Sequence, residues 1–387
     1  MVRGAYRSIL ASLVLAIVCV APAAAGPEVK IGENIYLVPD PKAKFLTFWM
    51  IVHAGCRDEE NGNCAGLAHY LEHLVFLGRN GRHDEQGNLA FAAGQTNAFT
   101  NMTTTAYYQT TPAREGMIRD DLEKLFSLFA RRIQGLDVAE DAALRERNVV
   151  LQEYNQRRSG SVRSNFYRDM TARLQPEHPI RQSVIGTRAD IGGFDLAKAR
   201  AFHERWYMKN NMTFVIYGPT TSEEVKPLVE KYLDPIPARR IPQRGWLDAL
   251  RAFAPMDEAM FVEDPETKRT EVYLQRIVRY PDEDASATSA VNTILFDYLN
   301  SRIKGSLSYV FVENSQIATS VHVSATALGA GVMWFTISAT LEEGVDPAPL
   351  KGAFESFLTD LKARGVDEAT VNRLKRRRTV EIADAGK

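Results

Sequence analysis

The sequence predicts an α+β protein built from two homologous α/β domains, and three observations carry that prediction. Strand-like and helix-like stretches follow the same order in both halves of the chain. A proline-rich stretch, "DPIPARRIPQRG" (Asp234–Gly245), separates the halves, with three prolines and a closing glycine. Local wording also recurs: "SLFARRIQGLDVAEDAALRERNVVLQE" in the first half parallels "SFLTDLKARGVDEATVNRLKRRRTVEIAD" in the second. The expected organisation is residues 1–25 as a signal peptide, 26–235 as the first domain, 236–245 as a linker and 246–387 as the second domain. The second copy stops short of the first, so an incomplete second domain within a longer natural product is expected.

Each element has its own warrant. Met1–Ala25 carries Arg3 and Arg7, then an apolar run Ile9–Val20, then "APAAAG" with small residues at Ala23 and Ala25. That is the layout of a removed secretory signal. The competing reading, a membrane anchor, meets a run short of the ~20 residues a bilayer span needs. Phe45–Val52 ("FLTFWMIV") is aromatic and β-branched and reads as a strand. Cys56–Cys64 reads as a loop. Gly66–Leu77 has Leu67, Leu71, Leu74 and Val75 at helical spacing. Asn97–Thr111, rich in Thr and Tyr, reads as one or two strands. Asp120–Ile133 and Ala139–Gln156 read as helices, and Thr213–Tyr217 as a strand. In the second half, Glu271–Val278 is a strand and Ala287–Asn300 a helix. Thr319–Ala325 and Gly331–Ala339 are strands, followed by helices at Leu350–Ala363 and Glu368–Ala383.

Composition narrows the class. The chain has 387 residues, 45% hydrophobic and 25% charged, with a formal net charge of −1. Nothing favours a nucleic-acid partner, since no basic run or patch stands out. Beyond the signal no stretch reads as a transmembrane helix, so a secreted protein is expected, and a bacterial periplasm fits. Cys19 leaves with the signal. Cys56 and Cys64 remain, across a loop rich in Gly, Asn and acids. In an oxidising compartment that pair suggests a disulfide.

The chemistry concentrates in "GLAHYLEHLVFLG" (Gly66–Gly78). Successive helical residues turn by 100°, so His69 and His73 lie about 40° apart on one face. Two imidazoles so placed can bind one Zn²⁺. Glu72 is swung to the flank, where it could accept a proton from a zinc-activated water without being a ligand. This is the H-x-x-E-H arrangement. A helix with two partly exposed histidines is the bland alternative. A catalytic zinc usually takes three protein ligands. The helix Ala139–Gln156 offers Glu146 and Glu153, seven residues apart and so on one face. The remaining histidines, His53, His83, His178, His203 and His322, show no ligand spacing and read as structural or surface residues.

HYLEH, the following "LVFLG", "GQTNAFT" and the Glu146/Glu153 pair together resemble the pitrilysin/insulinase family of zinc peptidases, in its bacterial processing-peptidase-like branch. The resemblance runs from about Ile35 to the C-terminus, and includes "FHERWYMKNNMTFVIYG" (Phe202–Gly218). It implies that each domain is a mainly antiparallel sheet with helices packed on one face. It implies that Glu153 is the third zinc ligand, one zinc per chain, and that Glu146 supports the site from behind the ligands. It further implies that Asn97 and Ala98 lie on an edge strand beside the zinc, where a substrate peptide adds as a further strand.

The second half lacks these residues. The helix Ala287–Asn300 has no histidine, and counting from Gly135 and Gly365 sets Arg376 opposite Glu146 and Ala383 opposite Glu153. The family also uses an Arg and a Tyr seven apart to hold the substrate carbonyl. By spacing, Arg302 and Tyr309 fit; by surrounding wording the two positions fall on Val312 and Thr319, and the pair is absent. In the second case a homo- or heterodimer partner, a related subunit carrying Arg and Tyr, completes the site. The expected function is a secreted zinc-dependent endopeptidase with Glu72 as general base. The alternative is a non-catalytic scaffold or partner subunit of a peptidase heterodimer.

Overall fold

The computed structural model of the chain describes residues 29–62, 64–77, 95–158, 183–246, 257–264, 269–279, 285–329 and 332–385. The expected signal segment, His83 and His178 lie outside these. The chain divides into two compact units, the first closing at Trp246. Among the described residues no helix is long and apolar enough to cross a membrane.

The first unit is built on a six-stranded sheet. Its elements are β1 (Val29–Gly32), β2 (Ile35–Pro39), β3 (Phe45–Val52), α1 (Leu67–Val75), β4 (Gln95–Thr100), β5 (Thr105–Pro112), α2 (Ile118–Gln134), α3 (Glu140–Arg158), α4 (Arg188–Gly192), α5 (Leu196–Trp206), β6 (Met212–Gly218) and α6 (Ser222–Leu228). The strand order is β1-β2-β6-β3-β5-β4. β2 and β6 run parallel; the other pairs are antiparallel.

Alternation in β3 decides which face is the core. Leu46, Phe48, Met50 and Val52 are fully buried, while Phe45 on the same strand is exposed. Phe48 stacks on Phe129 of α2 at 4.5 Å and meets Phe126 edge-on at 4.9 Å. Leu122, Leu125, Phe126, Phe129 and Ile133 recur at helical spacing, and this stripe seats α2 on the sheet. Burying each such side chain contributes roughly 1.5–3 kcal/mol. On the opposite face Trp49 stacks on Tyr108 at 4.5 Å and Thr47 hydrogen-bonds Thr110.

The second unit contains β7 (Asp257–Asp264), β8 (Arg269–Arg279), α7 (Ala285–Leu299), β9 (Ala318–Gly329), β10 (Val332–Leu341), α8 (Leu350–Arg364) and α9 (Glu368–Ala385). Its antiparallel sheet has the order β7-β8-β10-β9. The path β8-α7-β9-β10-α8-α9 repeats β3-α1-β4-β5-α2-α3, and β8-β10-β9 repeats β3-β5-β4 in space. One difference stands out. In the first unit β6 lies between β2 and β3, whereas in the second β7 pairs directly with β8.

The proline-rich stretch is anchored rather than free. Asn210 exchanges hydrogen bonds with the Arg239 backbone at 2.8 and 3.1 Å, and Arg244 Nε donates to Asp58 at 2.9 Å. Trp246 Nε1 donates to the same carboxylate at 3.1 Å, which extends the first unit one residue past the expected linker.

Phe48→Ala is expected to destabilise the first unit by roughly 3–5 kcal/mol, because the aromatic cluster cannot collapse into the space. Denaturant unfolding followed on that unit's transition reads this as a lowered midpoint.

Candidate metal centre

α1 begins at Gly66, whose φ of 96° is left-handed. A Cβ there would lie 2.3 Å from the Ile185 carbonyl oxygen, so glycine is required. Ala68, Leu71, Leu74 and Val75 bury one side of α1 in the core. Tyr70 is buried with them, stacks on Phe194 at 5.1 Å and donates to the Ala143 carbonyl of α3 at 2.6 Å. That bond locks α1 against α3. It turns His69 and His73 toward the acidic side chains of α3, with ring centroids 4.8 Å apart.

His73 Nδ1 pairs with Glu146 Oε1 at 2.8 Å, which leaves Nε2 free to face Glu153 Oε2 at 3.4 Å. His69 Nε2 faces the same oxygen at 3.6 Å. The other oxygen of Glu153 pairs with Arg157 one turn on. Two imidazole nitrogens and one carboxylate oxygen therefore converge, with all three ligand atoms within 4.8 Å of one another. Two donors each 2.0–2.1 Å from one tetrahedral ion stand about 3.3 Å apart. The 3.4 and 3.6 Å separations fit that spacing. Two nitrogens and one oxygen, with a carboxylate holding the far nitrogen of one imidazole, is a donor set suited to a catalytic zinc.

The charges are arranged asymmetrically. Burial would lower His73, but Glu146 and Glu153 outweigh it and push it up to about 9. Burial, with the charge of His73, holds His69 below its ordinary value. The hydrogen bond from His73 holds Glu153 well below the usual carboxylate range, against a smaller effect of burial. Glu72 behaves oppositely: burial raises it, and the hydrogen bond from Thr100 Oγ1, 2.6 Å from Glu72 Oε2, opposes that rise. Two carboxylates at one site are thus pushed apart in acidity.

Thr100 ends β4, the edge strand, which also carries Asn97 and Ala98. Asn97 lies opposite Tyr108 and Ala98 opposite Tyr107 on β5. The Asn97 side chain accepts from the Ala98 amide at 2.9 Å. Thr100, which closes "GQTNAFT", and Tyr70 and Arg157 carry no motif in the sequence that marks them for the site. Cys56 and Cys64 are joined in a disulfide. His203 is buried, bonded to the Arg132 carbonyl at 2.8 Å and stacked on Tyr207; His53 meets Thr213 at the surface. Arg302 pairs with Glu313, Tyr309 opens a π-helical turn, and Thr319 bonds the Thr340 carbonyl, all in the second unit.

Residues 34–184 match the family model described as Insulinase (Peptidase family M16), and residues 193–378 match the Peptidase M16 inactive domain. Coenzyme PQQ synthesis protein F of Pseudomonas aeruginosa is 31% identical over 214 residues, which are 54% of this chain and 27% of that protein. Zinc protease PqqE of Helicobacter pylori is 28% identical over 208 residues, 53% of this chain and 45% of that protein. The probable zinc protease PqqL of Escherichia coli is 26% identical over 222 residues, 55% and 23% respectively. The match thus spans less than half the length of each of these relatives. Among solved structures, a protease from Helicobacter pylori shares the fold with a TM-score of 0.71 at 20% identity, covering 93% of this chain and 86% of that one. The periplasmic protease PqqL from Escherichia coli does so with 0.68 at 18%, covering 94% and 40%.

Two outcomes are expected. The folded-state value of His73 lies above its ordinary 6.5. Its charged form therefore stabilises chelator-treated protein fully below pH 6.5, and the contribution is lost as pH rises through about 9. Zinc must displace that proton, so titration calorimetry at pH 7 in buffers of different ionisation heat should show about one proton released per ion, fading above pH 9. Glu146→Ala removes the partner of His73 Nδ1 and should weaken zinc binding by roughly 10–100-fold in competition with a chromophoric chelator.

Proposed function

The chain belongs to the pitrilysin/insulinase family, and on that premise we propose that it is a secreted zinc endopeptidase that cleaves short or unfolded peptides. The observation that carries this reading is the convergence of His69, His73 and Glu153, with Glu72 alongside but outside the donor set. His69, His73 and Glu153 would hold the ion, one per chain. A bound zinc would supply Lewis acidity, polarising the scissile carbonyl and acidifying water.

Glu72 accepts the proton of the attacking water and returns it to the leaving amine nitrogen. Its raised pKa suits both transfers, since an acid–base group works best near the operating pH. Thr100 holds one oxygen of Glu72 and so sets where the other points. Asn97 and Ala98 bind the substrate as an added strand along β4, through main-chain hydrogen bonds that require an extended peptide. Glu146 fixes the ring of His73 through Nδ1.

The second unit carries no counterpart of this donor set, since α7 has no histidine where α1 has two. A second subunit carrying Arg and Tyr completes the transition-state contacts. The disulfide Cys56–Cys64 supports an oxidising compartment, as does the periplasmic location of the Escherichia coli PqqL protease. The match of residues 193–378 to an inactive domain keeps a second reading in view, a non-catalytic partner subunit.

Zinc analysis and peptide hydrolysis separate the two. The purified chain should bind zinc one to one and cleave a quenched-fluorescence peptide, alone or with its partner. Glu72→Gln should keep the zinc and lose roughly 10²–10⁴-fold in kcat. A purified wild type that takes up no stoichiometric zinc overturns the proposal.

A further inference from the structure

The first turn of an α-helix carries amides with no acceptor inside the helix, and it frays unless capped. In α1 that turn includes His69, so one imidazole of the metal centre hangs on the least secured part of the helix. Gly66, at the N-cap, has no side chain to offer, and its surroundings admit no other residue. The cap comes instead from Glu59, in the loop before the helix. Glu59 Oε1 accepts from the Ala68 amide at 2.9 Å and Oε2 from the Ala65 amide at 2.7 Å. The amides of Gly66 and Leu67 face the same carboxylate. Burial pushes the Glu59 carboxyl up to about 7 against these amides, and its ionised form complements the positive end of the helix dipole.

Glu59 is in turn held by a ring of chain closed by the disulfide between Cys56 and Cys64. The ring is fastened on two further sides. The amides of Cys56 and Arg57 donate to the carbonyls of Asn101 and Met102, in the turn joining β4 to β5, at 3.1 and 2.9 Å. Asp58 is buried and accepts from the Gly55 amide at 3.0 Å, from Arg244 at 2.9 Å and from Trp246 at 3.1 Å. Cys56 is fully buried and Cys64 nearly so, which shields the bond from reductants. The disulfide therefore works as a fixed clamp and not as a redox switch.

We propose that Glu59 is a positioning residue of the metal centre: it supplies the N-cap that α1 lacks, and the disulfide ring holds it there, so that His69 keeps its place opposite Glu153. Glu59 touches neither ion nor substrate and acts through the backbone of the first turn. The proposal rests on the reading of His69, His73 and Glu153 as zinc ligands.

The test compares zinc affinity in four proteins: wild type, Glu59→Gln, the double variant Cys56→Ser/Cys64→Ser, and the triple variant. Competition with a chromophoric chelator reads affinity, and the visible spectrum of the Co²⁺-loaded protein reads ligand geometry. Glutamine keeps the volume of Glu59 but turns an amino group toward one of the amides. Glu59→Gln should weaken zinc by roughly 5–30-fold, the range expected for a lost cap, and alter the Co²⁺ spectrum. The double variant should also weaken zinc, and the triple variant should lose clearly less than the product of the two effects, because both act through one cap. Multiplying effects overturn the proposal. So does a Glu59→Gln protein with a lowered melting temperature but wild-type zinc affinity and Co²⁺ spectrum. If the cysteine variants fail to fold, Glu59→Gln alone decides by those two readouts. A wild type that binds no zinc refutes the metal reading itself, whereas a wild type that binds zinc beside an unaltered Glu59→Gln refutes this inference alone.

Discussion

The hydrogen bond from Tyr70 to the Ala143 carbonyl is the contact on which the site depends. A buried phenol hydroxyl must find an acceptor or lose its hydration without return, so this bond tolerates one register of α1 against α3. His73 lies one turn on from Tyr70, and Glu146 one turn on from Ala143, and those two side chains meet at 2.8 Å. Glu153, two turns beyond Glu146, faces both imidazoles with a single oxygen. A slip of one residue in either helix would separate all of them.

That register brings together groups that would be costly to bury apart. Glu146 and Glu153 favour positive charge at His73. Glu72 and Glu153 are the same kind of residue at the same site, yet burial raises one while a hydrogen bond from His73 lowers the other. Such divergence is the physical condition under which two carboxylates at one site can take separate tasks, as the proposed function requires. Thr100 ties Glu72 to β4, the edge strand of the sheet.

The duplication shows how little of this follows from the fold. The second unit repeats the path of the first from β8 to α9, with α7 in the place of α1. It packs its own apolar core around Leu274, Ile337 and Phe354. Scaffold and chemistry have separated: one copy carries the donors and the other keeps the packing.

Much of this was legible in the linear chain, because helix and strand periodicities place residues on faces without reference to any neighbour. The aromatic and β-branched density of "FLTFWMIV" marks β3 to the residue, and the four-residue spacing in HYLEH sets both imidazoles on one helical face. β1 and β2, of four and five residues, give too few alternations to mark a strand, and β7 offers only the short apolar run "AMFV" between acidic ends. The stretch Phe202–Gly218 catches only the end of α5, whose Leu196, Ala199, Phe202 and Trp206 are buried at helical spacing. The sequence by itself determined the donor types, their helical faces and the repeat of the domains. Only the tertiary structure decided that one oxygen of Glu153 serves both imidazoles, that Thr100 holds Glu72 and that Glu59 caps α1. Those contacts join residues far apart in the chain, and their distances are set by packing between elements, for which no local periodicity exists.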